Sequence, residues 1–401
     1  MADEPTAALG FLSRIWQGTQ QVLFPNLEMD LAPISEREKE FARMIELVQV
    51  DQHIGPYRWV GVGRKPHDRL AIAHAFLAKA HWNLTETKRL IEMLKSSPTI
   101  SLICGWKTAK EIPSESVFCR AFREFSDGNL LQLVHETMIR NCLGDKIIGH
   151  ISRDSTAIPA REKPIRKPKE ACKEKGSKDK ACKNKACKKK ACKKNACKKT
   201  ACKKKAVRRK AVRHSPSAGE LKRLDIQVRR TMAENIADLP RQCDIGVKKN
   251  SMGHVFWWIG YKLHIDTMDG DIPVSAILTS ASLHDSQAAV PLIQMSTDRH
   301  TYLYDLSDSA YDAKRIKDFS REQGHVPITA PNNRRRKVPV ELDPAEKVRY
   351  RCRSSAERVN SNLKDNYGVR IIRVRGAAKV MAQLMFAIIA LCANQLFRLI
   401  Q

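Results

Sequence analysis

Acidic residues are scarce in this chain: 43 Asp and Glu stand against 72 Lys and Arg over 401 residues, a formal charge of +29. That imbalance points away from acidic surfaces that bind cations or basic peptides and toward a polyanionic partner, of which nucleic acid is the commonest. The deficit is uneven. Residues 161–214 carry 25 Lys and Arg and 4 Asp and Glu, a net +21 that leaves only +8 for the rest. Close Cys-x-x-Cys pairs are missing too. The 12 cysteines follow no disulfide-scaffold spacing, so free thiols in a reducing cytoplasm are expected. The opening "MADEPTAALGFLSRIW" lacks a basic stretch followed by an apolar core, and no secretory signal is expected. Uninterrupted apolar runs are also lacking. "VMAQLMFAIIALCANQLFRLI" is broken by Gln383, Asn394, Gln395 and Arg398, which favours a core helix packed on a sheet over a membrane span. The length allows two or three domains with a substantial core.

The basic excess is built from a repeat. "ACKNKACKKKACKKNACKKTACKKK", residues 181–205, is a tandem pentapeptide whose first copy begins at Ala171. Repulsion among so many lysines opposes a packed core, so residues 161–215 are expected to form a disordered, phosphate-binding insertion. A metal-binding cysteine array and a redox-responsive tract are the competing readings. A period of five turns 140° per copy on a helix, so the cysteines form no stripe.

Residues 1–145 read as helices. "ISEREKEFARMIELVQV" opens at a Ser35 cap, and Thr85 and Ser114 are candidate caps farther on. This helical region is the candidate for binding DNA ends. The periodicity then changes. "KIIGHISRDSTAI" (146–158) reads as a strand ending in polar residues, with Asp154 at or just past its end. "VFWWIGYKLHIDT" and "DIPVSAILTSA" read as strands joined by the turn "MDGD", and "TYLYDLSDSAYD" as a strand closed by Asp308. With "HVPITAP" and the intervening helices, the order is three strands, helix, strand, helix, strand, helix. The fold class is α/β, a mixed sheet flanked by helices and preceded by an all-helical region. The second domain comprises residues 146–160 and 216–401.

Three acids carry the chemistry. Neighbouring strands bring Asp154 and Asp308 together, and two close carboxylates repel unless a cation joins them. Glu357, on a helix crossing the sheet edge, completes an all-oxygen site suited to Mg²⁺ or Mn²⁺. Two such ions clamp the attacking and leaving oxygens of a phosphoryl displacement. Asp305, Asp312, Asp266 and Asp285 are rivals. Within "YRCRSSAERVNSNLK" (350–364), Tyr350, Arg353, Glu357 and Lys364 fall within roughly a 60° arc of a straight helix, opposite Cys352, Ala356, Val359 and Leu363. A solvated face with an Arg353–Glu357 pair fits the same pattern. Trp257 and Trp258 are candidates for stacking on a displaced base or for sheet core. His264 and His284 are candidates for supporting the site.

"RDSTAI", "SDSAYD" and "YRCRSSAERVNSNLK", in that order, resemble the bacterial insertion-sequence transposases of the DDE class, which have an RNase H-like core. The last motif matches that group's tyrosine-arginine-glutamate-lysine signature at spacings of two, three and six. "GWKTAKEIPSESVFCRAFREF" resembles their N-terminal domain, and "WIGYKLH" with "SLHDS" their second and third strands. The resemblance spans roughly residues 60–158 and 250–400, and the lysine tract is not part of it. It implies that Asp154, Asp308 and Glu357 hold two Mg²⁺ (or Mn²⁺) ions, and that Tyr350, Arg353 and Lys364 contact the DNA backbone. It further implies a double-stranded DNA substrate, cleavage to a 3′-hydroxyl that is joined to target DNA, a dimer across paired ends, and a cytoplasmic, nucleoid-associated protein. A DNA-compacting protein and a metal nuclease without strand transfer are the alternatives.

If the tract binds phosphates, deleting residues 171–205 flattens the slope of log K against log[salt] for duplex binding. An unchanged slope means the tract does not touch DNA.

Overall fold

The computed structural model describes residues 6–30, 33–55, 66–144, 146–164, 222–249, 252–336 and 338–400. Of the insertion expected at 161–215, all but its first four residues lies outside them. The N-terminal part is helical: α1 (Thr6–Gly18), α2 (Phe24–Asp30), α3 (Glu36–Val48), α4 (Arg69–His81), α5 (Thr87–Ser96), α6 (Pro98–Cys104), α7 (Glu115–Asp127) and α8 (Leu130–Leu143). Ser35 caps α3 in a reciprocal box with Glu38. Ser114 is the N-cap residue of α7, its hydroxyl bonding Ser116 rather than a helix N–H, whereas Thr85 lies outside α5, whose N-cap is Glu86 without a side-chain bond.

Strand β1 (Ile148–Pro159) precedes the insertion. After it come α9 (Arg223–Gln227), α10 (Met232–Asp238), β2 (Asp244–Lys249), β3 (Val255–Met268), β4 (Ile272–Ser280), α11 (Ala289–Arg299), β5 (Tyr302–Ser307), α12 (Lys314–Glu322) and β6 (Val326–Thr329). Helices α13 (Pro344–Tyr350), α14 (Ser354–Asn366) and α15 (Ala377–Arg398) close the chain. The sheet is mixed, as expected for an RNase H-like core. β1 lies antiparallel to β3 and parallel to β5, which is parallel to β6. β2 and β4 both pair with β3, at its two ends. The "MDGD" turn joins β3 to β4 with Gly270 and Asp271 at positive φ. β2 has no counterpart in the sequence reading. It depends on Gly246, where the Trp258 ring lies so close that a Cβ would meet it at 2.2 Å.

β1 extends farther than expected. Asp154 sits inside the strand, because pairing with β3 continues from Ser155–His264 to Pro159–Gly260 after β5 has ended at Ser307. Along β1 the pleat sends Arg153 and Asp154 to opposite faces. Arg153 is fully buried and donates to Asp266 at 2.7 Å and to Asp305 at 3.1 Å. Ser296 on α11 and Ser320 on α12 donate to the same two carboxylates at 2.8 and 3.0 Å. Burial alone would disfavour the Arg153 charge, but the two aspartates more than offset it and keep it protonated.

The opposite side of the sheet meets α15, which is buried against α3, α4, α7 and α8 as well as β4. Phe386 packs on Phe76 and Phe122 with ring centroids 5.4 and 6.2 Å apart. Among the described residues α15 is the one helix long and apolar enough to cross a membrane, yet 83% of its most apolar window is buried within the protein. The N-terminal helices and the sheet therefore share one hydrophobic core through α15.

Arg153→Ala leaves two buried carboxylates without a cation and costs about 3–5 kcal/mol. Urea unfolding measures it. A loss below about 1 kcal/mol would mean that the cluster contributes no more than a surface pair.

Candidate active site

Parallel pairing of β1 with β5 sets the site. Arg153 lies opposite Ser307, the last pair of this ladder, and Asp154 and Asp308 are the residues that follow, near enough for the Asp308 charge to act on Asp154. Adjacent strands lie about 4.8 Å apart. Asp308 follows the last residue of β5 and caps a short 3₁₀ turn, Ser309–Tyr311, accepting from the Ala310 N–H at 2.9 Å.

Helix α14 crosses β1 on the face that carries Asp154. Ser152 Oγ donates to the Cys352 carbonyl at 3.1 Å, Asn360 Nδ2 donates to Asp154 Oδ2 at 3.0 Å, and the Lys364 ammonium donates to the Thr156 hydroxyl. The contacts fall on alternate strand residues, 152, 154 and 156. Apolar Ala356, Val359 and Leu363 hold the helix down from within the core. The expected single helix is interrupted, since Arg351–Arg353 forms a 3₁₀ turn between α13 and α14. Tyr350 therefore departs from the arc of a straight helix. It stays with the group: its hydroxyl is half-buried and pushed above the ordinary tyrosine value by burial, with Asp308, Glu357 and Asp154 adding to the rise. Arg353 stacks over the Tyr350 ring at 5.6 Å and pairs with Glu357 at 2.5 Å. Glu357 is exposed.

The competing aspartates are all engaged elsewhere. Asp266 and Asp305 hold Arg153. Asp285 pairs with Lys262 at 2.7 Å, and Asp312 pairs with Lys317 at 2.7 Å while accepting from the Asn332 N–H. Asp154 and Asp308 form no ion pair among the described residues. Burial raises the pKa of both above the ordinary aspartate value, and their mutual repulsion adds to the rise at Asp154. Two half-buried carboxylates without a bonded cation are oxygen donors of the kind hard divalent ions take, whereas Glu357 is paired with Arg353, and the oxygens of the three acids do not all lie within 4.8 Å of one another. Asp154, Asp308 and Glu357 are the residues that would hold them.

A second cluster differs in kind. His150, Asp269 and Cys352 bring one ligand atom each within 4.8 Å of the others, and the His150 ring nitrogen is 3.2 Å from Asp269. Mixed nitrogen, oxygen and sulfur donors suit zinc better than Mg²⁺. His264 is buried, with its pKa lowered to about 4 by desolvation, and bonds Thr279 at 2.9 Å. His284 caps the turn before α11. Trp258 is core, donating to the Tyr261 carbonyl at 2.9 Å, whereas Trp257 is 63% exposed.

Two residues near the site escaped the sequence reading. Asn360 was legible in principle, because it lies about 20° outside the arc that holds Arg353, Glu357 and Lys364. Lys248, whose charge acts on Asp154, Asp308 and Lys364, was not, because it stands on the unforeseen strand β2.

Residues 236–393 match a family model described as a transposase DDE domain, and residues 28–124 match one described as a transposase domain. Asp308 and Glu357 lie inside the first match and Asp154 lies between the two. No curated protein and no solved structure matches the chain.

A carboxyl whose pKa is raised on folding adds stability that is complete below its unfolded pKa and is lost as pH rises through the folded one. At neutral pH, ionised Asp154 and Asp308 therefore cost stability in metal-free protein. Asp154→Asn and Asp308→Asn raise its Tm at neutral pH and leave it unchanged below about pH 3. Added Mg²⁺ raises the wild-type Tm more than that of either variant. A variant Tm below wild type at neutral pH, with no response of wild type to Mg²⁺, would remove the acid pair from the site.

Proposed function

We propose that this chain, an insertion-sequence transposase of the DDE class by the two domains it carries, cuts the phosphodiester bond at its element's ends and joins the freed 3′-hydroxyl to target DNA. The observation that supports this reading is the Asp154–Asp308 pair, two half-buried carboxylates without a bonded counterion, with the charges of Asp308 and Arg353 acting on Asp154.

Two divalent ions bound by Asp154, Asp308 and Glu357 would supply an activated water and charge neutralisation at the leaving oxygen. The chain's own residues do the rest. Asn360 donates to the Asp154 carboxylate through its amide, and the Ser155 N–H donates to the same group. Arg353 is already oriented by Glu357 and by the Tyr350 ring, so an arriving phosphate meets a guanidinium whose freedom is spent. Lys364 is held down by Thr156 beside Asp154 and offers a second cation on the same face. Burial and nearby Lys248 lower its pKa, so an incoming phosphate restores a charge that folding disfavours. Tyr350 acts as a backbone contact. The two-metal reading requires no covalent protein–DNA adduct at Tyr350.

The helices within residues 1–145 are assigned to recognition of the element's ends, and the active species to a dimer across paired ends. The protein acts on double-stranded DNA in the nucleoid.

A labelled duplex carrying the element's own end, incubated with Mg²⁺ or with EDTA, tests the reading. Wild type nicks at the boundary only with metal. Glu357→Gln loses at least about 10²-fold in rate while binding the duplex as before. Tight, metal-independent binding without cutting would leave a DNA-compacting role. Nicking without joined products would leave a nuclease that lacks strand transfer.

A further inference from the structure

Away from the acid pair, a cavity of about 340 Å³ is walled by five cations: Lys79 on α4, Arg161 just beyond β1, Arg373 and Arg375 before α15, and Lys379 on α15. Its apolar floor is Phe76 and Phe122. No acidic side chain lines it. Arg373 is neutralised by Glu86 at 3.0 Å, but the other four form no ion pair among the described residues. Burial pushes the Lys79 ammonium down to about 8, so its charge is held at a cost that a bound anion would offset. Another cavity of about 340 Å³ makes the contrast. There two acids, Glu136 and Asp298, stand in the wall with Arg241 and Arg299, and Glu136 pairs with Arg299 at 3.6 Å. The cationic cavity has no such acids in its wall.

Its place along β1 says what the anion belongs to. From Asp154 to Pro159 the strand runs five residues, about 17 Å, and Arg161 lies two residues farther on. Lys364, bonded to Thr156, stands between. A turn of B-DNA is about 34 Å. We propose that this cavity seats a backbone phosphate of duplex DNA about half a helical turn from the bond that is cut. The assignment rests on the transposase reading of the acid pair and adds a second anchor that orients the duplex across the site. Arginines and a lysine from three separate chain segments grip the phosphate, and the apolar floor accepts the sugar.

The test uses the full chain with Arg161→Gln, Arg375→Gln and Lys379→Gln combined, all at positions with solvent access. Duplex affinity is measured across a salt series. Each lost phosphate contact lowers the slope of log K against log[salt] by about 0.9, so the triple variant, which loses the one phosphate seated here, lowers it by about 0.9. Arg161→Lys with Arg375→Lys, which keeps the charge, retains the wild-type slope and guards against misfolding. Ethylation of backbone phosphates about five base pairs from the nick weakens wild-type binding and leaves the triple variant unaffected. Equal slopes for wild type and the triple variant would overturn the proposal, as would a variant that loses only mononucleotide binding, since the cavity would then serve a free nucleotide. Metal-dependent nicking by wild type with equal slopes sinks the cavity alone. A slope that falls as expected without any nicking keeps the cavity and sinks the cutting reading.

Discussion

Everything at the candidate site depends on the pleat at Arg153 and Asp154. Two adjacent charged residues on one strand must point to opposite faces, and the protein uses that necessity to keep two ionic systems apart. Arg153 goes to one face and closes a buried cluster with Asp266 and Asp305. Asp154 goes to the other, beside Asp308 and beneath α14. A one-residue slip of β1 would exchange the two: Asp154 would face Asp266 and Asp305, and Arg153 would enter the acid site. The buried cluster is therefore more than a stabilising contact. Leaving Arg153 uncompensated costs several kcal/mol, so the cluster penalises any register that misplaces Asp154.

Helix α14 reads that register from above. From Cys352 in the preceding 3₁₀ turn to Lys364, the turn and α14 together advance about 19 Å, while β1 between Ser152 and Thr156 advances about 13 Å. The helix must therefore cross obliquely, touching alternate strand residues as it goes. Its polar anchors differ in kind: a hydroxyl to a carbonyl, an amide to a carboxylate, and an ammonium to a hydroxyl. None of the three neutralises Asp154 with a bonded cation, so the carboxylate is held in place and remains free to bind something else. The 3₁₀ turn at Arg351–Arg353 has a matching consequence. It rotates Tyr350 relative to a straight helix and lets the Arg353 guanidinium lie over the ring while also reaching Glu357.

Much of this was legible in the chain because it is local. The alternation in "TYLYDLSD" marks β5 and puts Asp308 just past its end, and Asp343 followed by Pro344 is the local signal that opens α13. What was not legible is non-local. Asp305 and Asp308 look alike in sequence, and only Arg153, 152 residues away, distinguishes them by taking Asp305. β2 is short and contains Gly246, an unfavourable strand residue in isolation. It becomes one because the Trp258 ring occupies the space a side chain would fill. The Thr85 cap failed for a related reason. A threonine near a helix start is a weak signal, and α5 begins two residues later, where burial of Leu90 and Leu94 fixes its phase.

The insertion divides the chain at a place where division costs little. Both family matches stop short of β1, so the strand bearing Asp154 is assigned to the site by pairing alone. Chain added between β1 and α9 raises the entropy of loop closure only logarithmically, by about 0.6 kcal/mol per doubling. Even without residues 161–215, β3 and β5 lie tens of residues beyond β1, so the pairing is non-local in any case and extra length changes its closure cost little. Packing leaves such an insertion free to vary in sequence, but charge does not. A net +21 over residues 161–214 is a diffuse field that salt screens over about a Debye length. At higher ionic strength such a field fades first, whereas cations built into the fold, such as Arg353 and Lys364, keep their positions.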